Sequence, residues 1–297
     1  MIYTVTLNPA VDYVINAGVL TPGSVNRALS EQIFFGGKGI NVSLVLKELG
    51  VDSAALGFTA GFTGEAIVRS LEKKGIKSGF VSLADGFSRI NVKIRQGGGI
   101  TEINGSGPDI PESAVNEFFG KLDALSDGDF LVLAGSVPRS LPPDIYERIL
   151  SKTADKKINS VVDASGELLQ NTLKFRPFLI KPNIFELSEI VGKTLQTESE
   201  IIESAKDLQE RGAVNVLVSM GADGAILVDE SGAVHKRAAC KGVVKNTVGA
   251  GDSMVAGFIA GIGKGCDYAL KLATACGGAT AFSDGLADLK AITDLMD

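Results

Sequence analysis

Only one histidine occurs in 297 residues, His235, and it lies in the strand-like segment AVHKRA, so it is expected at the surface rather than in a catalytic pair. A chain this poor in histidine needs a carboxylate wherever a hydroxyl must lose its proton. Cysteine is scarce as well. Cys240, Cys266 and Cys276 form no CxxC pair and are odd in number, which disfavours a disulfide framework and points to a reducing, cytoplasmic setting. No block of lysine and arginine interrupts a net charge of −6, so the electrostatic footprint of a nucleic-acid binder is missing. Uncharged runs such as 253–263 fall short of the ~20 residues that span a bilayer. The opening MIYTVTLNPAVDYV alternates like a strand and lacks the layout of a signal peptide. The glycine that a P-loop requires five residues before Gly192 is replaced by Leu187, and the protein-kinase motif set is also absent.

With 45% hydrophobic and 22% charged residues, the chain is an ordinary globular one, able to bury a large core. From about residue 108, apolar runs (DFLVLAG, NSVVDAS, FLIKPN, NVLVSMG) alternate with helix-like periodicity near 142–154 and 198–211. The N-terminal third adds YTVTL, a helix over 41–49, AALGF and a helix over 65–74. Such repeats imply an α/β fold, a doubly wound and mostly parallel sheet with helices on both faces. Two stretches break the pattern, 11–35 and 88–107. In the second, Ile90, Val92 and Ile94 alternate with polar neighbours before a Gly97-Gly98-Gly99 run that marks a hairpin. They are expected to form one small β lid inserted into a core made of 1–10, 36–87 and 108–297.

Ligands of open parallel sheets sit at the carboxyl ends of the strands. The unusual loops there are NPAVD, FGGKGIN, AGSVP, KPNIFE and NTVGAGD, with SMGADG as a sixth that could equally be a plain turn. In NTVGAGDSM, glycines ahead of an apolar helix can turn backbone N–H groups toward an anion at the positive end of the helix dipole. The alternative is a tight turn in which Asp252 is only an N-terminal helix charge.

GGKGIN with Ser43 following, paired with NTVGAGDS some 210 residues later, resembles the two signatures of the ribokinase-like carbohydrate kinases of the phosphofructokinase B branch. TLNPAVD, SRINVKI, AGSVP and KPN with a glutamate three residues after Asn183 are most similar to the sugar-phosphate kinases of that branch. The resemblance implies transfer of phosphate from ATP, with Mg²⁺, to fructose 1-phosphate, or alternatively to tagatose 6-phosphate. It makes Asp252 the base and gives the transferring phosphoryl group to the amides of Gly249, Ala250 and Gly251. Asp12, Gly37, Gly39 and Asn41 match positions that grip sugar hydroxyls. Arg89 and Lys38, with Arg27 a weaker choice, are assigned to the sugar's own phosphate, Arg89 first because its planar fork matches phosphate oxygens. Ser136 of AGSVP joins the sugar side. Lys181, Asn183, Ser219, Gly221, Gly224 and Thr247 are assigned to the nucleotide, and Glu186 to Mg²⁺ through water. Asn246 stands where the family signature usually has Asp, which removes a charge near a monovalent-cation contact.

Two other functions compete. A non-catalytic sensor on the same fold would be expected to lose Asp252 or its glycines, and a nucleoside kinase would have no use for Arg89 and Lys38. The resemblance further implies a homodimer through the lid.

Overall fold

The computed structural model describes residues 1–296. Strand β1 (Ile2–Thr6) opens the core, after which β2 (Ala10–Gly18) and β3 (Ser30–Gly36) leave it as a hairpin. Helix α1 (Lys38–Glu48), β4 (Ser53–Ala60), α2 (Gly61–Lys73), β5 (Lys77–Ser78) and β6 (Val81–Leu83) follow, and β7 (Arg89–Gln96) with β8 (Gly99–Asn104) makes a second excursion. The chain then alternates through α3 (Glu112–Lys121), β9 (Phe130–Ala134), α4 (Ile145–Lys152), β10 (Asn159–Asp163), α5 (Gly166–Gln170) and β11 (Leu179–Ile180). It continues with α6 (Ile184–Val191), α7 (Glu198–Glu210), β12 (Asn215–Ser219), β13 (Ala225–Val228) and β14 (Val234–Arg237). Helices α8 (Ala250–Gly261), α9 (Cys266–Ala281) and α10 (Leu289–Asp294) close it.

The main sheet runs β14-β13-β12-β11-β10-β9-β1-β4-β5, with β6 also on β4. It is parallel except at β13 and β14. Its strands carry apolar residues on both faces, as strands covered on both sides must. Leu131 and Leu133 enter one core with Val216 and Val218, while Val132 enters the other with Leu217. Helices α3, α4 and α7 cover the first face; α1, α8 and α9 cover the second. No helix among the described residues is long and apolar enough to cross a membrane.

The two excursions form one four-stranded sheet in the order β3-β2-β7-β8. Its centre is the parallel pair β2–β7, in which Asp12 lies beside Asn91, and each outer strand is joined by a hairpin. Both central strands start at the core, so their first residues stand at the mouth of the main sheet.

Local structure departs from the expected elements at two places that matter for the site, and at a third it takes the plain turn that the sequence left open. The helix expected from Asn41 begins at Lys38, because Gly37 alone makes the turn out of β3, so GGKGIN is a helix start rather than a loop. FLIKPN contributes only Leu179–Ile180 to the sheet, and its Lys181 and Asn183 are released toward the cleft. SMGADG is the turn of the antiparallel β12–β13 hairpin, closed by Met220 N donating to Gly224 O at 2.9 Å.

Candidate active site

A cleft of about 370 Å³ lies between the carboxyl ends of the parallel strands and the lid. Two helix N-termini, those of α1 and α8, open into it, so unpaired N–H groups and the positive ends of two dipoles face the same space. Of the residues singled out from sequence, Asp12, Gly37, Lys38, Asn41 and Arg89 line one side. Lys181, Asn183, Glu186 and Ser219 line the floor, and Gly249, Gly251 and Asp252 the third side. A neighbouring hollow of about 470 Å³ shares Gly37, Lys38 and Arg89 and adds Ser136 and Asn8. Lys38 and Arg89 therefore stand where the two spaces meet.

Asp252 is buried at the third position of α8, and Asn41 Nδ2 donates to its Oδ2 at 2.8 Å. Asn41 Nδ2 is thus engaged with the carboxylate, while its Oδ1 has no protein hydrogen bond among the described residues and the residue lines the cleft. Burial first, and then the charge of Asp163, push the Asp252 carboxyl up to about 6, against the opposing pull of Asn41, Lys38 and Lys181. A base of that strength is ionised near neutral pH yet still avid for a proton.

The turn ahead of it requires glycine. Gly249 caps α8 with φ +83°, a left-handed conformation, and a Cβ there would come within 2.6 Å of Leu286 Cδ2. A Cβ on Gly251 would lie 3.0 Å from Lys181 Nζ, so the ammonium rests against the bare helix start. The amide of Ala250 donates to Thr247 O at 3.2 Å and is committed to that turn. Those of Gly249 and Gly251 have no protein acceptor among the described residues.

Asp163, at the end of β10, is the member that sequence reading missed. It is 1% exposed, its Oδ1 lies 3.3 Å from Lys38 Nζ and 3.5 Å from Lys181 Nζ, and its Oδ2 has no partner. An aspartate closing one apolar strand has no local pattern, and its two lysines come from distant elements. Burial alone would lower the Lys38 ammonium, but Asp163, Asp252 and Glu186 outweigh it and hold it above its ordinary value. Lys38 thus pairs with Asp163 while also lining the neighbouring hollow with Arg89, the cation assigned with it to the sugar's phosphate.

Glu186 does double duty. Asn183 caps α6 by accepting from Phe185 N and Glu186 N, and Glu186 Oε2 accepts from Asn183 N at 2.8 Å, a reciprocal capping box. Oε1 has no protein hydrogen bond among the described residues. On the lid, Arg89 Nε donates to Asn8 O at 3.1 Å, and neither terminal guanidinium nitrogen has a protein partner among the described residues. Burial lowers its pKa and Asp12 opposes this, and it stays a cation. Asp12 itself accepts from Asn91 Nδ2 at 2.7 Å and lies 3.3 Å from Lys93 Nζ.

Several expected residues are not brought to the cleft wall. Arg27 is exposed on the connection beyond Asn16 and Ser30, the outermost pair of β2 and β3. Gly221 and Gly224 belong to the β12–β13 turn, and Thr247 is exposed and serves by its carbonyl. Gly39 faces β1, where a Cβ would meet Val5 O at 2.6 Å. The Asn246 side chain is absorbed by its own turn, accepting from Val248 N and donating to Asp284 O.

A buried carboxylate base, a helix start with free amides, a lysine against it and an arginine fork on a lid suit transfer of a phosphoryl group to a hydroxyl of an anionic acceptor. Comparison with known proteins agrees. The pfkB family of carbohydrate kinases matches residues 5–292. A 1-phosphofructokinase of Bacillus subtilis is 44% identical over 298 residues, covering 100% of this chain and 97% of the relative. A D-tagatose-1-phosphate kinase of Bacillus licheniformis is 41% identical over 292 residues, covering 97% and 95%. Among solved structures, phosphofructokinase-2 of Escherichia coli in complex with substrates and products superposes with a TM-score of 0.93 at 26% identity, covering 99% and 98% of the chains. The ribokinase of Arabidopsis thaliana shares the fold, with a TM-score of 0.79 at 20% identity over 100% of this chain and 98% of that one.

Proposed function

The chain belongs to the pfkB family of carbohydrate kinases, and on that premise we propose a division of labour within its cleft. The fold is ribokinase-like, and the enzyme is an ATP-dependent phosphotransferase with an alcohol group as acceptor. Its reaction is that of a 1-phosphofructokinase, D-fructose 1-phosphate to fructose 1,6-bisphosphate. Tagatose 6-phosphate is not better supported as acceptor, and the tagatose kinase among the relatives bears the name of the 1-phosphate.

The free 6-hydroxyl of the sugar attacks the γ-phosphorus of ATP, its proton passes to Asp252, and ADP leaves. Asn41 keeps the carboxylate aimed, and the amides of Gly249 and Gly251 with the ammonium of Lys181 receive the charge of the phosphoryl group in transfer. Asp12 and Asn91 face the sugar, and Arg89 takes its 1-phosphate with the two nitrogens that the protein leaves free. The observation that carries this reading is the buried, raised carboxyl of Asp252 beside unpaired amides at a helix start.

Magnesium fits the floor of the cleft. The unpartnered, buried Oδ2 of Asp163 and the free oxygen of Glu186 are hard carboxylate donors, and two such groups suffice for an ion that keeps most of its waters. When bound with ATP, the ion supplies neutralisation of charge on the phosphates. We place the enzyme in the cytoplasm and as a dimer through the lid. Tyr13, Ile33, Val92 and Ile103 lie in one row across all four lid strands, and Ile33 and Ile103 are 58% and 60% exposed.

Release of ADP with a panel of fructose 1-phosphate, tagatose 1-phosphate, tagatose 6-phosphate, free fructose and a nucleoside tests the assignment. Fructose 1-phosphate should give the highest kcat/KM. A higher value for any of the others would replace it.

A further inference from the structure

His235 is not the solvated surface residue its sequence context suggests. Its side chain is 18% exposed, Nε2 lies 2.7 Å from Asp229 Oδ2, and Nδ1 lies 2.7 Å from Asp267 Oδ1. Asp229 follows β13, His235 is in β14, and Cys266 is the first residue of α9, so three elements converge at the outer edge of the main sheet. One ligating atom from each of Asp229, His235 and Cys266 lies within 4.8 Å of the others. The place is remote from the cleft. Val228 pairs with Val216 near the start of β12, whereas the cleft residue Ser219 ends that strand. Helix α8 carries the chain about 18 Å away from the catalytic end before α9 begins.

The details favour a cation over a bare ion pair. Asp229 Oδ1 is already engaged by Ser231 N, Ser231 Oγ and Ala233 N, which presents Oδ2 to the cluster. Burial would raise the Asp229 carboxyl, but hydrogen bonds from Ser231, His235 and Ala233 hold it down to about 2, so it is a fixed anion. Cys266 Sγ stands beside the Asp229–His235 contact although neither residue needs a sulfur to complete its hydrogen bonds. Asp267 on Nδ1 is placed as the outer carboxylate of a ligating histidine, and Nε2, which meets Asp229 Oδ2 at 2.7 Å, would turn with that oxygen to a shared cation.

We propose that Asp229 Oδ2, His235 Nε2 and Cys266 Sγ bind a divalent cation of the zinc class, with water in a fourth position, and so tie the β13–β14 hairpin to α9. One oxygen, one nitrogen and one sulfur donor select zinc over magnesium, which avoids sulfur. Binding releases the Cys266 thiol proton to solvent, together with the Nε2 proton of His235 where the imidazole carries it.

The test uses the full chain stripped with a chelator and kept free of ATP and Mg²⁺. Cobalt(II) should give thiolate-to-cobalt charge-transfer absorption that saturates at one such site per chain, and Zn²⁺ should abolish it. In the unaltered protein, Zn²⁺ should slow alkylation of Cys266 by iodoacetamide, mapped by mass spectrometry, by about tenfold or more, and a chelator should reverse this. Cys266→Ser should abolish the charge-transfer absorption, and His235→Gln should weaken Zn²⁺ binding by about tenfold or more, both with kinase turnover preserved. Alkylation of Cys266 that ignores Zn²⁺, protection falling on Cys240 instead, or cobalt binding without sulfur absorption would each overturn the proposal, and none of these readings depends on a variant folding.

Discussion

Asp252→Asn should lose activity and gain stability at once. The amide keeps the shape, and its Oδ1 can accept the Asn41 bond that Oδ2 accepts at 2.8 Å in the native chain. Loss of a general base is worth about 10²–10⁴-fold, so turnover should fall by at least roughly a hundredfold. Stability runs the other way. Below the ordinary carboxyl value of 3.8, native and unfolded chains both hold the proton and Asp252 costs nothing. As pH rises toward about 6 the unfolded chain ionises first, and above that value the native state carries the full penalty of a buried charge beside Asp163. A shift of about two units is about 3 kcal/mol, and the favourable position of a carboxylate in the first turn of α8 takes back up to about 1.

The variant should therefore be more stable than the native enzyme by on the order of 1–3 kcal/mol at pH 8, with the gap closing below pH 4 or so. Denaturant unfolding at pH 8 and pH 4.5 measures this, and the pH–rate profile adds a third reading. Native kcat/KM should drop about tenfold per unit below the Asp252 pKa, and the residual rate of the variant should be flat there. Turnover within tenfold of native, or no gain in stability at pH 8, would refute the account of Asp252 as a strained base.

Glu186→Gln should raise the Mg²⁺ concentration needed for half-maximal rate while leaving KM for fructose 1-phosphate and the melting temperature nearly unchanged, since glutamine can still accept from Asn183 N. Arg89→Ala should raise KM for fructose 1-phosphate by about ten- to hundredfold, the worth of a charge-assisted contact, without changing KM for ATP. Arg89→Lys should restore part of that, and an unaltered preference for phosphorylated over free fructose would place the phosphate elsewhere. Gly251→Ala should cut kcat by about tenfold or more with the fold intact, because its Cβ would lie 3.0 Å from Lys181 Nζ and move the ammonium. Native turnover in that variant would remove Lys181 from the phosphoryl site.

What was legible in the sequence is what leaves a local mark. The β-then-α alternation is local, so the main sheet and both lid excursions could be placed, and NTVGAGD signals its helix start because Gly249 must take a left-handed turn. Charges that meet only in three dimensions left none. Asp163 reads as the last polar residue of an apolar strand, yet it is the counter-ion of Lys38, 125 residues away, and of Lys181. Lys38 looked like a free cation because its partner was invisible. The same blindness explains His235, whose two aspartates come from a neighbouring turn and from α9. Glycine clusters are ambiguous in the opposite direction: Gly221 and Gly224 have the spacing of a ligand loop and shape an antiparallel hairpin, for which the sequence requirement is similar.

The division follows from how each group acts. A phosphoryl-binding helix start is made by backbone, so its sequence demand is fixed at adjacent positions and shows as a motif. A carboxyl is tuned by field, and the field at Asp252 is summed over Asp163, Asn41, Lys38 and Lys181, four residues from three separate segments. The motif points to Asp252 as the proposed base, but only the assembled charges set its proton affinity. The Lys38–Asp163–Lys181 cluster is therefore where substitution should shift the pH dependence of the reaction without altering the NTVGAGD helix start.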